Sequence, residues 1–183
     1  MPQSLIDAFV YTEDERFYSH DGVDFKRTFA AFVNVFLPGD RVFGGSTITQ
    51  QTIKQLTGED ARNGIAGVER KIREIFRSIN VEKTYTKEDI IQSYLNVVPL
   101  GTMQQDIVGV QAAANYYFGK DVSDLDLAEC ASLAGMTSSP AYNNPVDDPE
   151  ANKIRQKYCL DHMLENGAIS EQEYNTALNE ELN

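Results

Sequence analysis

Apolar positions recur at helical intervals along most of the chain, and alternation is scarce. Leu5, Phe9 and Thr12 lie three to four residues apart and lead into an acidic string. Phe25, Phe29, Phe32 and Phe36 then follow at intervals of four, three and four, one stripe of a helix that Pro38-Gly39-Asp40 stops. Capping-box spacing in Thr47-Ile48-Thr49-Gln50 starts another helix near Thr47, just after Gly44-Gly45. Thr57 to Gly67 is rich in Gly, Asn and charge and reads as a loop. Val68 to Val81 reads as a helix with Ile72, Ile75, Phe76 and Ile79 on one side and bases on the other.

Thr86 opens a further helix that ends near Asn96, before Pro99 and Gly101. Ile107 to Tyr117 is a small-residue helix closed by Gly119. Ser123 is expected to cap the next, Asp124 to Gly135. Ser138 to Pro149 carries three prolines and two asparagines, which marks a long loop or crossing. Asn152 to Glu165 is helical, and Ser170-Glu171-Gln172-Glu173 is a capping box for the last helix. No repeat or low-complexity tract appears. The pattern predicts a mainly α fold built as two lobes.

Composition changes this picture little, but charge does. The 183 residues suit one domain or two small lobes, and the apolar share of 42% is that of a globular chain. The net charge is -12. Residues 1–120 hold 15 acids and 13 bases, whereas residues 121–183 hold 13 acids and 3 bases. A net acidic chain argues against nucleic acid as a partner, which calls for a basic face. A local basic patch survives: Lys54, Arg62, Arg70, Lys71, Arg73, Arg77 and Lys83 are 7 of the 16 cations. Cys130 and Cys159 are expected to be buried free thiols rather than a disulfide. No apolar run reaches the roughly 18 residues that a bilayer span needs. The chain begins at Met1-Pro2-Gln3-Ser4-Leu5, immediately before its first motif, as expected of a domain excised from a longer protein.

Three strings carry candidate chemistry. They are Glu13-Asp14-Glu15-Arg16-Phe17-Tyr18-Ser19-His20-Asp21-Gly22, Gly44-Gly45-Ser46-Thr47-Ile48-Thr49-Gln50-Gln51 and Arg70-Lys71-Ile72-Arg73-Glu74. Together they supply two separated carboxylates, a polar Gly-Gly turn and a cluster of cations, a set of parts for moving a sugar off a phosphate leaving group. His20 reads as a structural hydrogen-bonding residue rather than a metal ligand.

These strings resemble the peptidoglycan glycosyltransferase domain of class A penicillin-binding proteins and monofunctional biosynthetic transglycosylases. The family's motifs occur in order at Glu13–Gly22, Gly44–Gln51, Arg70–Glu74 and Lys87–Asn96, and Tyr116–Lys120 and Leu127–Gly135 also look like the family. The resemblance implies a lysozyme-like, mainly α fold. A larger head lobe would carry an inserted, membrane-facing jaw, here roughly residues 23–60. The reaction it implies is polymerisation of lipid II into glycan strands with inversion and release of undecaprenyl pyrophosphate.

The resemblance casts Glu13 as general base, within hydrogen-bond reach of the acceptor hydroxyl it deprotonates. Glu74 becomes the second acid, either ordering the cations around it or holding a divalent cation. Such an ion, Mg or Mn, is compatible with the sequence but not required by it. Lys54, Arg62, Arg70 and Lys71 are expected to neutralise the pyrophosphate, whose charge grows as the glycosidic bond breaks. Ser46, Thr47, Thr49, Gln50 and Gln51 are expected to supply neutral hydrogen bonds to substrate. Arg73 reads as a solvated base. The stretch between Lys54 and Arg70 runs longer than the family's, which loosens the placement of Arg62.

The expected partners are lipid II, the growing glycan strand and the outer leaflet of the membrane. A C-terminal transpeptidase domain and a cell-wall synthesis complex fit the same family. The expected location is the extracytoplasmic face of the bacterial plasma membrane, with the anchor outside this chain. Two rival functions are a lysozyme-like lytic glycosidase, which would not need the Lys54/Arg70/Lys71 patch, and a non-catalytic lipid II-binding module, against which the pairing of Glu13 with Glu74 argues.

Overall fold

The computed structural model describes residues 1–28, 45–59 and 64–182. Among these the protein is built from helices: α1 Gln3–Glu13, α2 Ile48–Thr57, α3 Gly64–Glu82, α4 Lys87–Val97, α5 Val110–Phe118, α6 Leu127–Gly135, the single turn α7 Pro140–Asn143, α8 Pro149–Glu165 and α9 Glu171–Asn179. The only extended pairing among them is an isolated antiparallel bridge between Pro99 and Val108. The Phe29, Phe32 and Phe36 positions of the predicted aromatic stripe, and Arg62, lie outside the described residues.

The chain divides into two compact units, Met1–Glu15 with Leu95–Asn183, and Arg16–Tyr94. In the first unit α1, α6 and α8 pack on one another around Leu5, Phe9, Leu133, Leu160 and Met163, all fully buried. Helix α6 is the centre of that unit because small residues let its neighbours approach. Every residue from Ala128 to Gly135 is buried. A Cβ on Gly135 would lie 2.6 Å from the Arg155 carbonyl oxygen, so only glycine permits this crossing of α6 and α8. Polar ties then fix the register. Ser132 donates to Asn152 at 2.7 Å, Gln156 donates to the Ala128 carbonyl at 2.8 Å, and Arg155 Nε donates to the Gly135 carbonyl at 3.0 Å.

Helix starts follow local chemistry. Thr47, Asp126 and Ser170 each close a capping box with the residue three positions on, satisfying amides that the first turn leaves without partners. The cap of α6 is therefore Asp126; Ser123, expected in that role, belongs to a 3-10 turn capped by Asp121. Helix α3 starts at Gly64, inside the segment expected to be loop, and α8 starts at Pro149 behind the Asp148 cap, three residues before Asn152. Proline suits that first position because its missing N–H needs no acceptor there.

The two thiols are buried and free, as the sequence suggested. Burial pushes both up to about 12.

Candidate active site

In the second unit residues 16–22 of the first motif are tied to residues 45–51 of the second and to α3. Gly22 has φ 88, and a Cβ there would meet the Ser78 carbonyl oxygen at 2.5 Å, so glycine is required by both conformation and space. The Gly22 carbonyl accepts from Thr47 Oγ1 at 2.7 Å. Thr47 also caps α2, with its N–H donating to Gln50 Oε1 at 3.0 Å. Thr49 donates to Glu82 Oε1 at 2.6 Å. That oxygen also pairs with Lys87 at 2.8 Å, and Lys87 Nζ reaches the His20 carbonyl at 2.7 Å while standing 4.4 Å from the centre of the Phe17 ring. Arg16 and Asp24 close the same loop with an ion pair of 2.7 Å.

Glu82 and Lys87 thus act as the clip between the first motif and α2. Lys87 belonged to a recognised string, but nothing in the local pattern announced Glu82.

On this frame sits a charged cluster. Glu74, almost wholly buried, is 2.5 Å from Arg70 Nη1 through Oε2 and 2.5 Å from Lys71 Nζ through Oε1. Lys71 Nζ also donates to Ser46 Oγ at 2.9 Å. Helical geometry explains the grouping: positions 70, 71 and 74 share one face, since residues three and four apart are neighbours. Two cations are thereby held part-buried and pointed in fixed directions by one carboxylate and one hydroxyl. Arg73, two positions from Lys71, faces away; its side chain is half exposed, beside Glu59 and Glu69. Arg77 pairs with Glu59 at 2.8 Å and not with Glu74.

The remaining polar residues of the second motif divide. Thr47, Thr49 and Gln50 are completely buried, with Thr47 and Thr49 donating to partners inside the fold. These three brace the frame between the first motif, α2 and α3. Ser46 and Gln51 are half-buried, and Gln51 Oε1 accepts from Tyr94 at 3.4 Å. Lys54 is exposed in the last turn of α2.

A divalent cation fits this donor set poorly. Both oxygens of Glu74 already face a cation, so a metal ion would have to displace one of them beside another positive charge. Among the described residues no group of three or more His, Cys, Asp or Glu could hold one.

Glu13 belongs to the first unit, where it is the last residue of α1. Its Oε1 accepts a hydrogen bond from Thr137 Oγ1. Thr137 follows the Leu127–Gly135 string and was not singled out by the sequence.

Residues 1–164 match the family model described as Transglycosylase. The chain belongs to the transglycosylase family. It is 44% identical, over 98% of its length, to penicillin-binding protein 1A of Clostridium perfringens, and 40% identical over 99% to the protein of the same name from Neisseria gonorrhoeae. The matched regions are 27% and 22% of those relatives, so the chain spans about a quarter of their length. The crystal structure of penicillin-binding protein 1A from Haemophilus influenzae matches all of this chain and 16% of its own, with a TM-score of 0.57 and 25% identity. The transglycosylase is therefore an enzyme of glycosyl transfer with the mainly α, lysozyme-like fold of its family.

Proposed function

We propose that this transglycosylase is a peptidoglycan glycosyltransferase that polymerises lipid II. In this reading Glu13 takes the proton of the acceptor sugar hydroxyl as that oxygen attacks the anomeric carbon of the donor. The bond to the pyrophosphate breaks on the opposite face, the configuration inverts, and undecaprenyl pyrophosphate leaves. Arg70 and Lys71 stabilise the charge that grows on it, with Lys54 and Ser46 alongside. Fixed cations favour the transition state over the ground state because their target carries more charge there.

The observation that carries the reading is the pairing of Arg70 and Lys71 to a single buried Glu74. Such a pair carries a net positive charge with its geometry already set, which suits a diphosphate. A glycosidase that hydrolyses its substrate has no diphosphate to neutralise. Glu74 orients the two cations in this proposal, and no step uses a metal ion. The membrane partner follows from the lipid tail of the substrate. Among the described residues no helix is long and apolar enough to cross a bilayer.

The test is incubation of the chain with labelled lipid II in detergent or vesicles. The expected product is a polymer that lysozyme-type hydrolases digest. Shortening of preformed glycan strands, with no polymer from lipid II, would replace this reading with a lytic one.

A further inference from the structure

We infer that Thr137 is a positioning residue for Glu13, and that its hydroxyl changes partner as the carboxyl changes protonation state. The inference rests on the reading of Glu13 as the base. Its ground is a small piece of geometry at the end of α6. Thr137 Oγ1 reaches Glu13 Oε1 and also lies 2.8 Å from the Ala134 carbonyl oxygen. A hydroxyl has one proton to give and two lone pairs to receive with. Two acceptors therefore stand within reach of one proton.

With Glu13 ionised, the carboxylate is the stronger acceptor and takes the Thr137 proton, while the Ala134 carbonyl goes without it. Glu13 then receives the proton of the acceptor hydroxyl as the new glycosidic bond forms. A carboxylic acid is a weaker acceptor than a carboxylate. That proton sits on Oε1; the Thr137 O–H turns about its Cβ–Oγ bond to the Ala134 carbonyl, and Oγ1 accepts from the acid O–H. Thr137 neither gains nor loses a proton, and the proton on Glu13 leaves later to solvent. The carboxyl thus keeps a partner on both sides of the transfer, and its orientation is held throughout.

The support under Thr137 is stiff. Thr137 sits in the 3-10 turn Met136–Ser138, and Met136 is fully buried. The turn springs from Gly135, whose carbonyl is gripped by Arg155 Nε at 3.0 Å and whose Cα lies hard against the backbone of α8. A hydroxyl on such a support can orient a neighbour; one on a mobile loop could not. The contact links residues 124 positions apart within the same unit, which is why no local pattern reveals it.

The test compares Thr137→Val, Thr137→Ala and Thr137→Ser with the parent in lipid II polymerisation, with melting temperatures and KM measured alongside. A hydrogen bond to a charged group corresponds to about ten- to a hundredfold. The expected result is a fall of that size in kcat for Val and Ala, little change in KM, unaltered melting, and recovery to within a few-fold by Ser. Glu13→Gln is run in parallel and is expected to abolish polymerisation. If Glu13→Gln is inactive while Val or Ala matches the parent, or while Ser is as slow as Val, the role of Thr137 is overturned and that of the base stands. If Glu13→Gln keeps near-parental turnover, the base assignment itself fails.

Discussion

Lys71 and Arg73 lie two residues apart on α3 and meet opposite surroundings. Lys71 bridges Glu74 and Ser46, whereas Arg73 is half exposed among surface carboxylates. Lys71→Ala is expected to lower kcat/KM for lipid II by roughly ten- to a hundredfold, the weight of a charged hydrogen bond. Arg73→Ala is expected to stay within about fivefold, since exposed ion pairs contribute about 0–1 kcal/mol. Steady-state polymerisation rates check both, and equal losses would make the patch nonspecific.

Asp24 offers a residue-scale test of the frame. Burial pushes its carboxyl up, but the Arg27 amide, which donates at 3.0 Å, and the Arg16 guanidinium outweigh this and hold it below its ordinary value. A carboxyl depressed in the folded state stabilises the fold above its unfolded value and loses that contribution as pH falls through the folded one. The melting temperature of the parent is therefore expected to fall more steeply than that of Asp24→Asn below about pH 4. Parallel curves in thermal melts from neutral to acid pH would show that the ion pair to Arg16 does not stabilise the loop.

At the scale of elements, α3 turns its cations and its apolar residues in different directions. Val68, Ile72 and Phe76 recur every fourth position and are 60%, 47% and 64% exposed, while Glu74 and Ser78 are buried. The sequence showed an amphipathic helix; the expectation that follows by default, an apolar face against the core, is reversed here. Burying a large apolar side chain contributes about 1.5–3 kcal/mol, so two of them can outweigh the screened repulsion of an acidic chain from anionic lipid. Ile72→Ser with Phe76→Ser is expected to reduce association with liposomes while leaving the melting temperature close to the parent's. Undiminished sedimentation with vesicles would rule this stripe out as the membrane contact. At the crossing of α6 and α8, by contrast, Gly135→Ala is expected to cost about 1–3 kcal/mol, because overpacking forces the helices apart. A melting temperature equal to the parent's would show that the crossing yields.

For the whole molecule, what the sequence reveals depends on the reach of the interaction. Helix starts were legible at Thr47 and Ser170 because a capping box spans four residues. Position 123 misled because Ser123 resembles a cap, although Asp126, three residues before Glu129, has the capping-box spacing that the structure uses. The Arg70-Lys71-Glu74 cluster was legible for the same local reason, since it lies on one turn of one helix. Ser46 joined it only through the fold. Thr47, Thr49 and Gln50 were recognisable as a motif, yet their burial depends on Glu82, Gly22 and the packing of α2, none of which spacing encodes. Thr137 and Glu82 were illegible because their partners lie 124 and 33 positions away.

The inward-facing cysteines make this chain a convenient optical instrument. Thiolates, not thiols, attack maleimides, and burial leaves Cys130 and Cys159 with almost none at neutral pH. A single cysteine placed at exposed Phe76 would then carry the only reactive sulfur, with no need to strip out the native pair first. A polarity-sensitive dye attached there should stay green-shifted in buffer and turn blue as vesicles are added. The parent chain, treated with the same reagent while folded, should remain dark.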